Sequence, residues 1–243
     1  MSTITLRTAA VSDIGQLRTQ NEDRYLQDDE LRLYGVADGV GGLPSGAEAA
    51  QLAVEEVTRA VQALPPDEEP NLAAAVQCAN QAVVELGREL SPDLGIGTTL
   101  TFGLVRDGKM HLAHVGDSRC YLWHDSALHL LTRDHSVESD ARVRRARGEV
   151  VYYHEATRNA LTRCIGQPVA PEADRLTRPL KAGDRYLFCS DGVTRLLDET
   201  DLVSLLGRAN EPAEVAREIV AMANRCGGPD NATAVLVFVE EAP

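Results

Sequence analysis

The chain has 243 residues, enough for one well-packed domain that buries most of its surface. Its 37 acidic residues against 24 basic ones give a net charge of −13. That argues against a general nucleic-acid binder, which needs a basic stripe to displace counterions, and against docking on anionic membranes.

Apolar residues make up 44% and charged residues 25%, the balance of a globular chain rather than a disordered one. No apolar run approaches the ~20 residues of a membrane helix. The start, Met1 to Arg7, lacks the basic-then-apolar layout of a signal peptide, so a cytoplasmic protein is expected. Cys78, Cys120, Cys164, Cys189 and Cys226 are odd in number and widely spaced, with no Cys-x-x-Cys. They read as buried free thiols rather than a disulfide framework or a zinc finger.

In chain order, the first 43 residues are strand-like with turns, and the apolar run Tyr34 to Ala37 ends in Asp38-Gly39. Ser45-Gly46-Ala47-Glu48 fits a capping box, and Ala53, Val57, Ala60, Val61 and Leu64 recur at helical spacing behind it. An acidic, proline-rich loop, Pro65 to Pro70, separates this helix from a second one striped by Leu72, Ala75, Val76, Ala79, Val83, Leu86 and Leu90. Short strands follow at Thr99 to Val105, Met110 to Val115, Cys120 to Trp123 and Leu128 to Leu131, with Asp107-Gly108 as a hairpin turn. Residues 133–165 are polar, arginine-rich and weakly patterned, and are expected to form a surface excursion. A strand at Arg185 to Cys189, helices near 199–206 and 212–225, and a strand at Thr233 to Val239, apolar on both faces and so central, complete the chain. Strands in hairpin-linked blocks with helices in pairs predict an α+β fold of antiparallel sheets covered by helices.

The chemistry gathers where apolar runs meet aspartate. Asp38-Gly39, Asp191-Gly192 and Asp230-Asn231 each end such a stretch, and Asp117-Ser118 is a fourth. Singly, each is an ordinary turn. Together, carboxylates aimed at one point form an all-oxygen site for magnesium or manganese rather than zinc or copper. Crowded aspartates repel one another unless divalent charge offsets them. Near the N-terminus Arg18 offers a planar fork suited to phosphate, with Glu22 and Asp23 close behind it in sequence.

These pieces resemble a known family. Arg18-x-x-Asn21-Glu22-Asp23, Ala37 to Gly42, Gly97-Thr98-Thr99, Val115 to Arg119, Leu131 to Ser136, Leu161-Thr162-Arg163, Ser190-Asp191-Gly192 and Gly228 to Thr233 are similar to motifs of the metal-dependent protein phosphatase 2C (PPM) family. They occur in that family's order, and the likeness spans residues 12 to 239 and is strongest to compact bacterial members. It implies a four-layer αββα sandwich, two antiparallel β-sheets flanked by pairs of helices. Residues 1–243 would be one catalytic domain, with 133–165 as a flap beside the cleft. It also implies hydrolysis of phosphoserine and phosphothreonine by a metal-bridged water, with phosphorylated proteins as substrates. A bacterial Ser/Thr protein kinase is the implied opposing activity, and the chain is expected to act as a monomer without nucleic-acid or membrane partners.

Carried over by motif, Asp38 bridges two Mn2+ or Mg2+ ions and Gly39 offers its carbonyl to one of them. Asp191 and Asp230 complete the first site, and Glu22 and Asp23 lie beside the second. Asp117 with Asp191 resembles the place of a third metal in bacterial relatives. Arg18 grips the phosphate, and Asn231 orients Asp230 or a water. Val40 stands where many members carry histidine, so the leaving oxygen is expected to take its proton from a metal-bound water. Arg142, Arg144 and Arg145 form a basic cluster read as a substrate-docking patch.

Two other function classes compete with this reading. A catalytically silent phosphopeptide-binding regulator is disfavoured by intact Arg18, Asp38, Asp191 and Asp230. A nucleotide-binding protein rests on Gly103 to Lys109, which lacks the following serine or threonine, and on the glycines after Asp38, which lack dinucleotide spacing. His111 and His114 fall on opposite faces of a strand, against shared metal ligation.

Overall fold

A computed structural model describes residues 4–65, 68–208 and 211–242. Pro66 and Asp67 of the proline-rich loop, and Met1 to Thr3, lie outside the described residues. Ten strands form two five-stranded antiparallel sheets. One has the order β1 (Thr5–Asp13), β10 (Ala232–Glu241), β9 (Arg185–Cys189), β6 (Arg119–His124), β7 (Ala127–Leu130). The other runs β2 (Asp23–Asp28), β3 (Leu33–Asp38), β4 (Leu100–Arg106), β5 (Lys109–Val115), β8 (Asp174–Pro179).

The sheets face each other across Tyr34, Val36, Met110 and Leu112 on one side and Leu122, Tyr186, Phe188, Val235 and Val237 on the other. Helices α1 (Gly46–Gln62) and α2 (Leu72–Leu90) cover the outer face of the β2–β8 sheet with Ala53, Val57, Val76, Ala79 and Val83. Helices α5 (Glu199–Leu206) and α6 (Pro212–Arg225) cover the other sheet with Leu202, Leu205, Val215 and Ile219. The result is the expected four-layer αββα sandwich. Strands β4 and β10 are buried on both faces because each lies inside a sheet that is itself covered twice. Asp107 and Gly108 close the β4–β5 hairpin with φ 51° and 72°, the signature of a type I′ turn. That hairpin also disposes of the nucleotide-loop reading of Gly103 to Lys109.

Several expectations need correction. Ser45 precedes α1 with φ 55° and makes no side-chain cap, so the capping box does not form. A capping serine ordinarily holds an extended backbone, which this left-handed conformation is not. Strand β8 was not foreseen; it is an edge strand, largely exposed, and its Asp-Arg-Leu-Thr-Arg-Pro sequence carries little apolar signal. Within 133–165 a helix, α3 (Val137–Ala146), buries only Ala141, which explains its weak pattern. The thiols are free, but only Cys120 and Cys189 are buried, while Cys78 and Cys226 are exposed. Among the described residues no helix is long and apolar enough to cross a membrane.

Candidate active site

The acidic motifs converge at one end of the sandwich because strand ends from both sheets meet there. Asp38 ends β3 and sits opposite Asp23, the first residue of β2. Asp191 opens a one-turn helix, α4 (Asp191–Thr194), directly after β9. Asp230 lies just before β10, and Asp117 lies in the turn from β5 to β6. A cleft of about 350 Å³ is lined by Arg18, Glu22, Asp38, Asp117, Asp191 and Asp230, together with Gly39 and Val40.

Neighbouring motifs fix the backbone under these carboxylates. The Asp38 N–H donates to Thr99 Oγ1 at 3.0 Å, and its carbonyl accepts from Thr98 Oγ1 at 2.9 Å and from the Thr99 N–H at 2.8 Å. Gly39 packs on the start of α1, where a Cβ would stand 2.6 Å from the Gly46 carbonyl carbon. At Gly192 a Cβ would stand 1.9 Å from the Asn231 carbonyl oxygen, so only glycine lets α4 dock against the β10 loop.

Asp23 lies behind the cleft, 2% exposed. Its Oδ2 accepts hydrogen bonds from Ser190 Oγ at 2.8 Å and Thr233 Oγ1 at 2.6 Å, which ties the two sheets together. Its Oδ1 is buried without a hydrogen-bond partner among the described residues. Asn231 does not turn its side chain to Asp230. Its Nδ2 donates to the carbonyls of Ile14 (2.9 Å) and Gln20 (3.0 Å), and its Oδ1 accepts from the Glu22 N–H (2.8 Å). Only its backbone N–H reaches Asp230 Oδ1, at 2.9 Å. Asn231 therefore pins the loop that carries Arg18 and Glu22.

The electrostatics are those of carboxylates crowded together. Burial, and then the charges of Asp23, Asp191, Asp117 and Asp230, hold the Asp38 carboxyl well above the usual range. Burial and Asp191 push Asp117 up to about 7. Burial pushes Asp23 up to about 6 against the opposing hydroxyl bonds. Burial likewise raises Asp191 and Glu22. Each shift reports a group that needs positive charge nearby.

Two arginines supply some of it. Arg18 Nη2 lies 2.9 Å from both oxygens of Asp230. Arg195, which the sequence reading overlooked, pairs through Nη2 with Asp191 Oδ2 and reaches Asp117 Oδ2 at 3.9 Å and, through Nη1, Asp230 Oδ2 at 3.8 Å. Among the described residues no three carboxylate, thiol or imidazole groups already converge on one point. The donor set nevertheless fits hard divalent cations: it is all oxygen, over-charged, and backed by an orphaned carboxylate oxygen on Asp23.

The sequence family described as protein phosphatase 2C matches residues 16–226. The chain belongs to the protein phosphatase 2C family. It is 38% identical over 246 residues to the Mycobacterium tuberculosis serine/threonine protein phosphatase PstP, covering 98% of this chain and 46% of that protein. The chain thus spans about half the length of that relative. It is 34% identical to the Listeria monocytogenes serine/threonine phosphatase stp, covering 93% of each. Among solved structures it resembles the catalytic domain of PstP in complex with two manganese ions, with a TM-score of 0.85, 34% identity, and coverage of 98% of this chain and 100% of that one.

In this protein phosphatase 2C chain the arginine cluster departs from the docking patch expected beside the cleft. Arg142, Arg144 and Arg145 do not line the cleft. Arg144 Nε donates to Glu149 Oε2 at 2.7 Å, and Arg145 donates to the Val151 carbonyl and stacks over Tyr153. The 133–165 segment reaches the cleft through Asn159, Ala160 and Leu161 instead. His135 is fully buried; its Nδ1 accepts from the Gly116 N–H at 3.1 Å and its Nε2 faces Asp174 Oδ2 at 3.2 Å. It is therefore a brace for the turn that carries Asp117. Among the described residues no histidine lines the cleft. The i, i+4 spacing of Asp191 and Arg195 was the available signal for that pair.

Proposed function

We propose that this chain is a metal-dependent serine/threonine phosphoprotein phosphatase that opposes a Ser/Thr protein kinase in bacterial cytoplasmic signalling. On this reading residues 1–243 act as one catalytic domain and as a monomer, with 133–165 as the flap. The observation that carries it is the convergence of Asp38, Asp117, Asp191 and Asp230, from separate strand ends, in one cleft beside Arg18. Membership of the protein phosphatase 2C family and the likeness to a manganese-bound relative support it.

Asp38, the Gly39 carbonyl, Asp191 and Asp230 are the residues to hold a first manganese or magnesium ion. Asp38 would also serve a second, with Glu22 and Asp23 beside it. Two such ions would supply positive charge to the phosphate and acidify a water for in-line attack. Arg18 turns its fork from Asp230 to the phosphate oxygens and shares the charge that develops on them. Glu22 and Asp38 shape the anionic floor, and Thr98 and Thr99 keep Asp38 from moving as charge shifts above it. With Val40 on the wall and no histidine lining the cleft among the described residues, the proton of the leaving alkoxide would come from a metal-bound water. Arg142, Arg144 and Arg145 lie outside the cleft on α3, where they can meet only the wider surface of a protein substrate.

The test is hydrolysis of an aryl phosphate with manganese, with magnesium, with chelator, and in D38N. Activity with either ion that chelator and D38N both remove is expected. Activity that survives chelation overturns the metal mechanism, and phosphopeptide binding without turnover selects the regulator. Charge reversal at Arg142, Arg144 and Arg145 should raise KM for a phosphoprotein and spare the aryl phosphate; equal effects on both reject docking there.

A further inference from the structure

Arg195 caps the C-terminus of α4, and its backbone N–H donates to the Asp191 carbonyl at 2.8 Å. One helical turn therefore delivers its guanidinium to the same side as the Asp191 carboxylate. There it pairs with Asp191 Oδ2, and the same nitrogen stands 3.9 Å from Asp117 Oδ2. Asp117 forms no other ion pair within 4 Å among the described residues. Arg119, two residues along, is committed to Asp134 through two hydrogen bonds of 2.8 and 2.7 Å.

Asp191 has two neighbours of opposite character. Asp38 lines the same cleft, while Asp191 Oδ2 is taken by Arg195. Arg195 also borders both the catalytic cleft and an adjoining cavity of about 350 Å³ lined by Asp117, Asp134, Glu138 and Arg158. It thus stands as a wall between them, in the gap between Asp117 and Asp191. The seat is rigid, because Gly192 docks α4 directly on the Asn231 carbonyl. A guanidinium does not lose its charge at any pH the protein survives, so the interposed cation is permanent.

We propose that Arg195 is a built-in cation filling the carboxylate gap between Asp117 and Asp191, so that this chain binds two divalent ions and excludes a third. The inference rests on the metal-dependent reading above and sharpens it: Asp117 serves Arg195 rather than a metal. The physical basis is competition between like charges for one pair of carboxylates. A divalent ion entering the gap must displace an arginine that is tethered one turn away and always charged.

The experiment counts bound manganese by titration, reading free Mn2+ from its electron paramagnetic resonance signal, for the whole chain and for R195Q and R195M. Thermal unfolding of each variant verifies the fold. The expected saturation is two ions per chain for the wild type and three for either variant. R195Q/D117N should return to two. A wild-type count of three overturns the inference without needing any variant. So does a count of two in folded R195Q and R195M, or three in R195Q/D117N, which would put the added ion elsewhere. A wild-type chain that binds no manganese sinks the phosphatase reading, and this inference with it; a failure confined to the variants leaves that reading standing.

Discussion

Asn231→Ala offers the sharpest test of how the site is assembled. The Asn231 side chain, 4% exposed, makes three hydrogen bonds of 2.8 to 3.0 Å to the backbone at Ile14, Gln20 and Glu22. At roughly 1 kcal/mol net for each bond, the loss is about 3 kcal/mol, and more if the stranded Glu22 N–H finds no water. For a domain of this size that lowers Tm by roughly 6–12 °C. Asn231→Asp retains the acceptor for the Glu22 N–H but aims an oxygen at two carbonyls, so it should be no better than alanine. The assay is urea unfolding of all three proteins with manganese present, followed by manganese titration. Because Arg18 and Glu22 ride on the pinned loop, manganese affinity should fall along with stability. A loss below about 1 kcal/mol, or an Asn231→Asp protein as stable as wild type, would refute the clamp.

Arg18→Lys keeps the charge but loses the fork, and kcat/KM for an aryl phosphate should drop about tenfold or more at unchanged fold stability; an unchanged value would remove Arg18 from phosphate binding. Gly192→Ala forces a Cβ to within 1.9 Å of the Asn231 carbonyl, so α4 must move; thermal melting should fall by several degrees, and unchanged melting would show that α4 is not fixed there. His114 is buried, and burial, then His135, lowers its pKa to about 3. The unfolded chain takes up a proton below pH 6.5 that the folded chain refuses, so this residue's contribution is intact above 6.5 and is lost as pH falls towards 3. Between pH 6.5 and 5 the loss is about 2 kcal/mol, and His114→Gln should flatten the stability slope by that amount in denaturant titrations. A slope identical to wild type would show that His114 is not neutral in the fold.

Much of this architecture is written in short-range patterns. The stripe of α2, the helix near 212–225 and the Asp107-Gly108 turn are local instructions, and each appears where its residues indicate. What escaped is what depends on partners far along the chain or on exposure. Strand β8 is an edge with little buried surface, and α3 buries a single alanine, so neither leaves a periodic signal. Ser45 has the residue types for a cap, but its backbone lies in the left-handed region, which no triplet of letters reports. In the site, the acidic turns were legible because aspartate beside glycine at the end of an apolar run is distinctive. The seat of Asp23 was not, since its hydroxyl partners lie 167 and 210 residues away. Asn231 was expected to orient Asp230 or a water, whereas its side-chain bonds go to backbone that has no letter of its own.

The pairing of β1 with β10 has a practical consequence. Asp13 lies opposite Ala232 at the catalytic end, while Thr5 lies opposite Glu241 at the other. The strand spans nine residues including both ends, which are about 27 Å apart. A bead, a surface or a fluorophore attached beside Thr5 or Glu241 is therefore held on the far side of the molecule and leaves the mouth of the cleft facing outward, so an immobilised sample should accept bulky substrates as readily as one free in solution.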